Sequence, residues 1–211
     1  MKKAKNKLSE KMQLVSKSPR RREILSELYE NIEAVNFSVK EFVPAGMPVA
    51  KVAAFLAELK MDSFLKSEIT KKEIVITADT IVCYPEDNVL LGKPSSKQEA
   101  REMLEKHFGR EHSVITAVCY FDLKQNKREV VVDEAKVTFK AKELVPEEAI
   151  TKYIDLVPPF GPMDKAGAYG IQEQLVTDYM IESFIGDKNT VVGFPLQKFI
   201  SVIVNSSSGN I

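Results

Sequence analysis

The sequence predicts an α/β fold: a mixed, twisted sheet flanked by helices. Three observations carry this. Apolar runs of strand length alternate with helical periodicity through the first half of the chain. The run Ile74–Cys83 is apolar on both alternating faces, as in a strand covered on both sides. Val114–Leu123 and Glu129–Lys140 read as two further strands, joined by the polar Lys124-Gln125-Asn126-Lys127 as an antiparallel hairpin.

In chain order, Met12–Val15 reads as the first strand. It leads into Ser16-Lys17-Ser18-Pro19-Arg20-Arg21-Arg22, a strand-to-helix turn. Ser18 is a good N-cap, and Pro19 suits the first helical position because its missing N–H would be unpaired there anyway. Ile24, Leu25 and Leu28 follow at helical spacing. Ile32–Phe37 predicts a second strand, and Ser38–Pro48 a loop broken by Pro44, Gly46 and Pro48. A long helix runs from about Pro48 to Leu65, with Ala53, Leu56, Lys60 and Phe64 on one stripe. Leu91–Pro94 is a turn, and Ser96 with Glu99 makes a capping box for a helix to His107. Pro146–Leu156 is a helix with Glu147 and Glu148 in its first turn. Pro158–Gln172 holds three of the ten prolines and three of the nine glycines, which marks a shaped loop. Leu175–Phe184 predicts another strand. Gly193-Phe194-Pro195 opens the last helix, to about Val204. The chain reads as one domain over residues 1–211, with residues 1–11 a basic extension and Asn205–Ile211 a disordered tail.

The chain has 211 residues, 44% hydrophobic and 28% charged, enough for a sizeable core. Lys+Arg and Asp+Glu both total 30, so the balance of charge gives no reason to expect a nucleic-acid polymer as partner. No apolar run approaches the ~20 residues of a membrane helix. Lys2, Lys3, Lys5 and Lys7 have no apolar stretch behind them, so a secretory signal is not expected. Cys83 and Cys119 lie in apolar runs and read as reduced, buried strand thiols of a cytoplasmic protein. His107 and His112, beside Gly109 in a polar connection, read as solvated surface histidines without a metal role.

Several residues resist a purely structural reading. Three arginines in a first helical turn oppose the helix dipole. With Ser16 and Ser18 beside free backbone N–H groups, they suit a multiply charged anion, most plausibly phosphate. A capped helix with a solvated basic turn is the plainer alternative. Asp79 sits inside the most apolar strand, and an unpaired buried carboxylate costs several kcal/mol. It has either a structural salt bridge or a functional role at a pocket. Lys60 either snorkels from the apolar stripe or points into a cleft. Lys93 alone is a turn lysine. Asp164-Lys165 opens the glycine-rich part of the shaped loop. Cations and two acids, with no catalytic histidine or cysteine, point to phosphate chemistry with a hard cation such as Mg²⁺ or Mn²⁺. Neither GxxxxGK[ST] nor a GxGxxG after a strand is present.

Taken in order, these motifs resemble the Maf family of nucleoside triphosphate pyrophosphatases. Ser16–Arg21 is similar to its SxSPRR signature. Ala78-Asp79-Thr80, Gly92-Lys93-Pro94, Asp164–Gln172 and Val191–Leu196 are similar to its later blocks. The resemblance implies a two-lobed α/β fold with a central cleft, a homodimer and a divalent metal. It implies hydrolysis of a nucleoside triphosphate to the monophosphate and pyrophosphate. By that pattern Asp79 is the catalytic carboxylate or a metal ligand, and Glu41 a further metal or water contact. Lys60 and Lys93 neutralise phosphate, which turns Lys60 toward the cleft, and Asp164 and Lys165 belong to the same site. Arg20, Thr80 and Gln172 fall at the specificity positions and resemble the branch acting on dTTP and UTP, where Gln172 can donate to and accept from a pyrimidine edge. The chain departs from the pattern at Lys17, at Lys40 before Glu41, at Glu173 in place of a glycine, and at Asp187-Lys188. A rival reading from another class is a non-catalytic nucleotide-binding regulator of cell division. A plain structural partner domain is a third, and it leaves Asp79 unexplained.

Overall fold

A computed structural model describes residues 11–29 and 32–208. Among these, seven strands form one mixed sheet: β1 (Met12–Val15), β2 (Glu33–Val35), β3 (Ile74–Tyr84), β4 (Val89–Leu91), β5 (Glu111–Asp122), β6 (Lys127–Phe139) and β7 (Ile181–Ile185). The strand order is β2-β1-β3-β5-β6-β7, with β4 added to β3. β1 runs parallel to both β2 and β3, while β5, β6 and β7 continue the sheet antiparallel. The helices are α1 (Pro19–Ser26), α2 (Val49–Lys66), α3 (Lys97–His107), α4 (Glu147–Asp155), α5 (Lys188–Val192) and α6 (Leu196–Ser208).

β3 is the spine, and its pairing creates the site. One edge is bonded to β5 along Ile74–Cys83. The other edge is divided: β1 takes Ile74–Thr77 and β4 takes Val82–Tyr84. Ala78, Asp79, Thr80 and Ile81 therefore border a gap in the sheet. The β1 ladder ends at Val15, so Ser16 and Ser18 lie at this gap.

Side chains alternate across β3, so its two faces build different cores. Val75, Ile81 and Cys83 pack under the apolar stripe of α2, with Val52, Ala53, Leu56, Ala57, Met61 and Phe64. Ile74, Ile76 and Ala78 pack on the other face against α1 and α6, through Ile24, Leu25, Phe194 and Phe199. Farther along that face, Val82 and Tyr84 meet α3, α4 and the loop that follows α4. The two cores on this face are separate clusters, and the gap opens between them.

The structure corrects several expectations. Leu175–Phe184 is not one strand: Val176–Met180 is a π-helical turn, and β7 starts only at Ile181. The apolar Val176 and Met180 fill the core from that turn instead. The last helix continues to Ser208, so residues 205–208 are helical rather than a loose tail. Residues 1–10 and 209–211 of the two expected extensions lie outside the described residues. The second strand shortens to Glu33–Val35, and the short strand β4 was not anticipated.

The histidines are also not on the surface. His107 and His112 are 0% and 2% exposed, with rings 4.1 Å apart. His107 Nε2 donates to the Gly167 carbonyl at 2.9 Å, because a carbonyl only accepts. Its Nδ1 lies 2.7 Å from the Tyr84 hydroxyl, whose proton also faces the Lys106 carbonyl at 2.8 Å. His112 Nε2 pairs with the Tyr169 hydroxyl at 2.8 Å. Burial pushes the His107 pKa down to about 4 and that of His112 well below its usual value, and the neighbouring His107 adds to the His112 shift. The unfolded chain takes up protons near pH 6.5, which the folded protein refuses until about pH 4. Their contribution to stability is therefore present above pH 6.5 and lost as pH falls through that window. Urea unfolding between pH 7 and pH 4.5 is expected to show a steady loss, and a His107→Gln/His112→Phe variant a much flatter dependence.

Candidate active site

A cleft of about 570 Å³ opens at the gap in the sheet. Ser18, Arg20, Arg21, Glu41, Lys60, Asp79, Thr80, Lys93, Asp164, Lys165 and Gln172 all border it. Ser16 lines an adjoining cavity of about 390 Å³, together with Arg20, Arg21, Lys60 and Lys93. Residues far apart in sequence thus meet at one place, and the volume suits a nucleotide-sized ligand.

Asp79 is on the α2 face of β3. The sheet-facing stripe of α2 carries Lys60 to it, and the ammonium contacts the Asp79 carboxylate directly. Glu41 reaches the same ammonium at 2.9 Å from the loop after β2. Burial raises the Asp79 pKa, and the charges of Lys60 and Arg21 oppose that rise without cancelling it. The result is a carboxylate more basic than an exposed one, held in a cleft.

Thr80 points to the opposite face, toward α1. Arg21, in the first turn of α1, is fixed by three acceptors: the Gly193 carbonyl at 2.9 Å from Nε, Thr80 Oγ1 at 2.9 Å from Nη2, and Ser16 Oγ at 3.4 Å from Nη1. Thr80 Oγ1 also lies 2.9 Å from Thr116 Oγ1 on β5, its cross-strand partner. Thr116 donates to the Thr190 carbonyl at 2.7 Å, so Thr80 donates to Thr116 and accepts from Arg21. The Thr80 hydroxyl is fully engaged in orienting Arg21. Arg21 stays charged, although burial lowers its pKa from the arginine value.

Arg20 leans the other way, its Nη1 2.8 Å from Asp164 Oδ2. Burial raises the Asp164 pKa, but the Lys165 and Arg20 partners outweigh it and hold the group below the ordinary value. Lys165 borders the cleft, yet its ammonium is enclosed by Asp164 Oδ1 at 2.6 Å, the Gly161 carbonyl at 2.7 Å and the Pro159 carbonyl at 3.0 Å. Lys93 is exposed on the turn after β4, with no ion pair among the described residues. Gln172 is exposed at the far end, where it also lines a third cavity of about 500 Å³ with Arg20 and Phe160. Ser18 caps α1 as expected, its hydroxyl accepting from Arg21 N at 3.4 Å.

Thr116 joins the site without any sequence signal, and Gly193 and Glu173 make contacts there that their motifs do not reveal. Thr116 is invisible without the β3–β5 register. Gly193 has a φ of 123°, which favours glycine, and a Cβ there would stand 3.2 Å from Thr80 Oγ1.

The family model described as Maf-like protein matches residues 11–205. The chain is 35% identical over 195 residues to a dTTP/UTP pyrophosphatase of Flavobacterium psychrophilum, covering 92% of this chain and 94% of that one. It is 36% identical over 194 residues to one of Alkaliphilus metalliredigens, covering 92% and 95%. A third, from Caldicellulosiruptor saccharolyticus, is 36% identical over 195 residues, covering 92% and 93%.

Val82, which lines the cleft, packs closely on Gly167, whose φ is 68°. A Cβ there would approach Val82 Cγ1 to 2.8 Å. Gly167→Ala is expected to cost about 1–3 kcal/mol in chemical denaturation. Gly92→Ala, with open space around it, is the matched control and should stay within about 0.5 kcal/mol.

Proposed function

The chain belongs to the Maf-like protein family, and we propose that its cleft hydrolyses dTTP and UTP to the monophosphate and pyrophosphate. The observation that carries this is Asp79: a buried carboxylate of raised basicity, facing Lys60 and open to a cleft rimmed by Arg20, Arg21 and Lys93. A structural salt bridge alone would not require a nucleotide-sized space lined by further cations.

In this reading, Asp79 accepts a proton from the water that attacks the α phosphorus. A new P–O bond forms, the α–β bridging bond breaks, and pyrophosphate leaves with the bonding electron pair. Arg21, held rigid by Thr80, Ser16 and Gly193, presents its fork to a phosphate without further reorganisation. Lys60 and Lys93 offset the charge that builds on the phosphate oxygens. Ser16 and Ser18, at the start of α1, line the polyphosphate path. Arg20 with Gln172 borders the end left for the pyrimidine, and Asp164 fixes Arg20 there.

The donor set fits a divalent metal. Glu41 and Asp79 converge on one cationic position, now occupied by the Lys60 ammonium. No cluster of three metal-ligating side chains occurs among the described residues. Two carboxylates completed by phosphate oxygens and water is the pattern of Mg²⁺ rather than of a closed protein cage. Such an ion supplies Lewis-acid charge to the phosphates. The homodimer goes with the family resemblance alone, and the cytoplasmic location with the two cysteines, which are free and buried; among the described residues no helix is long and apolar enough to cross a membrane.

Pyrophosphate release from a nucleotide panel tests the reading. Turnover of dTTP and UTP with Mg²⁺ is expected, abolished by EDTA and restored by excess metal. Binding without turnover of any nucleotide would favour the regulator instead. Asp79→Asn should lose at least ~10² in kcat while keeping nucleotide affinity. The raised Asp79 pKa sets a sign for the pH profile. Since the basic form is the active one, kcat/KM should rise with pH through an ionisation above the ordinary aspartate range, and a flat acidic limb would remove Asp79 from the role of base.

A further inference from the structure

Glu173 is buried, only 8% exposed, and has no part in the chemistry described so far. Its Oε2 accepts from Gly161 N at 2.8 Å. Its Oε1 lies 2.7 Å from Lys165 Nζ, a charge contact whose direction is off that of a hydrogen bond. The packing around this pair is tight. A Cβ on Gly170 would come within 2.7 Å of Lys165 Cε and 2.9 Å of Glu173 Oε1. Lys165 has two carboxylate neighbours, Glu173 and Asp164, and Asp164 is shared: Oδ1 faces Lys165 and Oδ2 faces Arg20.

A buried ammonium demands a compensating charge. Glu173 meets that demand from below, which leaves one oxygen of Asp164 for Arg20. With Glu173 uncharged, Asp164 becomes the sole anion beside Lys165, and Arg20 competes with a buried cation for it. Arg20 has the exposed end of this chain of charges and yields first.

We propose that Glu173 is a positioning residue for substrate recognition: by neutralising Lys165 it commits Asp164 to Arg20 and so fixes the arginine that borders the nucleotide cleft. This rests on the nucleotide reading of the cleft, and the test separates the two. Calorimetric Kd for a non-hydrolysable dTTP analogue, with KM and kcat for dTTP, is measured for the wild type, Glu173→Gln, Arg20→Ala and the double variant. Glu173→Gln should raise Kd and KM about tenfold, the size of one charge-assisted hydrogen bond, with kcat changed less than about twofold. In the Arg20→Ala background the same substitution should have no effect. An unchanged Kd, or an equal penalty with and without Arg20, overturns the proposal. If melting curves show that Glu173→Gln does not fold, Lys165→Met is compared with Lys165→Met/Glu173→Gln. With no buried ammonium to neutralise, the two should share one Kd, and a tenfold gap overturns the proposal. A wild type that binds the analogue but releases no pyrophosphate defeats the hydrolase reading and leaves Kd to decide this one. A wild type that binds no nucleotide defeats both.

Discussion

The division of one β3 edge between β1 and β4 is the constraint on which the site depends. A strand with both edges paired throughout would lie closed within the sheet. Here the two short partners stop apart and leave Ala78–Ile81 facing a gap. Asp79 and Thr80 are neighbours at that gap, and the pleat sends them to opposite faces. Each then needs a polar partner from the layer that covers its face. α2 supplies Lys60 to Asp79, and α1 supplies Arg21 to Thr80. The two helices are positioned by apolar packing on separate cores, so the polar contacts inherit their geometry from burial.

The arginines at the start of α1 show how an unfavourable local choice is offset. Cations at a helix N-terminus oppose the dipole. Arg21 turns away from the helix axis into a ring of oxygens, and Arg20 reaches a carboxylate across the cleft. Arg22, which is exposed, has neither contact among the described residues. The first two are therefore fixed before any ligand arrives, and pre-organisation of this kind is what makes donors effective against developing charge.

Legibility in the sequence followed the range of the interaction. β3, α2 and the Ser18 cap were readable because each is specified by residues within a few positions of one another. The stripe Ala53, Leu56, Lys60, Phe64 marked Lys60 as the odd member, and left open whether it snorkelled or entered a cleft. Sites that depend on register were not readable. Thr116 matters only because it lies opposite Thr80, and Glu173 only because the loop folds Lys165 and Gly161 onto it. His107 and His112 were misread because their neighbours in sequence are polar, whereas their neighbours in space are Tyr84, Phe139 and Tyr169. Leu175–Phe184 was misread for a related reason: apolar content at strand length does not distinguish a strand from a buried turn.

The balance of charge in the cleft bears on what it can hold. Arg20, Arg21, Lys60 and Lys93 face Glu41, Asp79 and Asp164, while the enclosed ammonium of Lys165 is answered by the buried Glu173. The cleft is thus only slightly cationic, which agrees with a chain of net charge +0. Such a cleft does not trap polyanions by bulk attraction, and a triphosphate carries more negative charge than it can balance. Under the proposed reading a divalent cation would offset that shortfall, and Glu41 and Asp79, which share Lys60, are the residues that would hold it. The contact with Lys60 is what keeps the buried Asp79 carboxylate tolerable at the edge of the cleft.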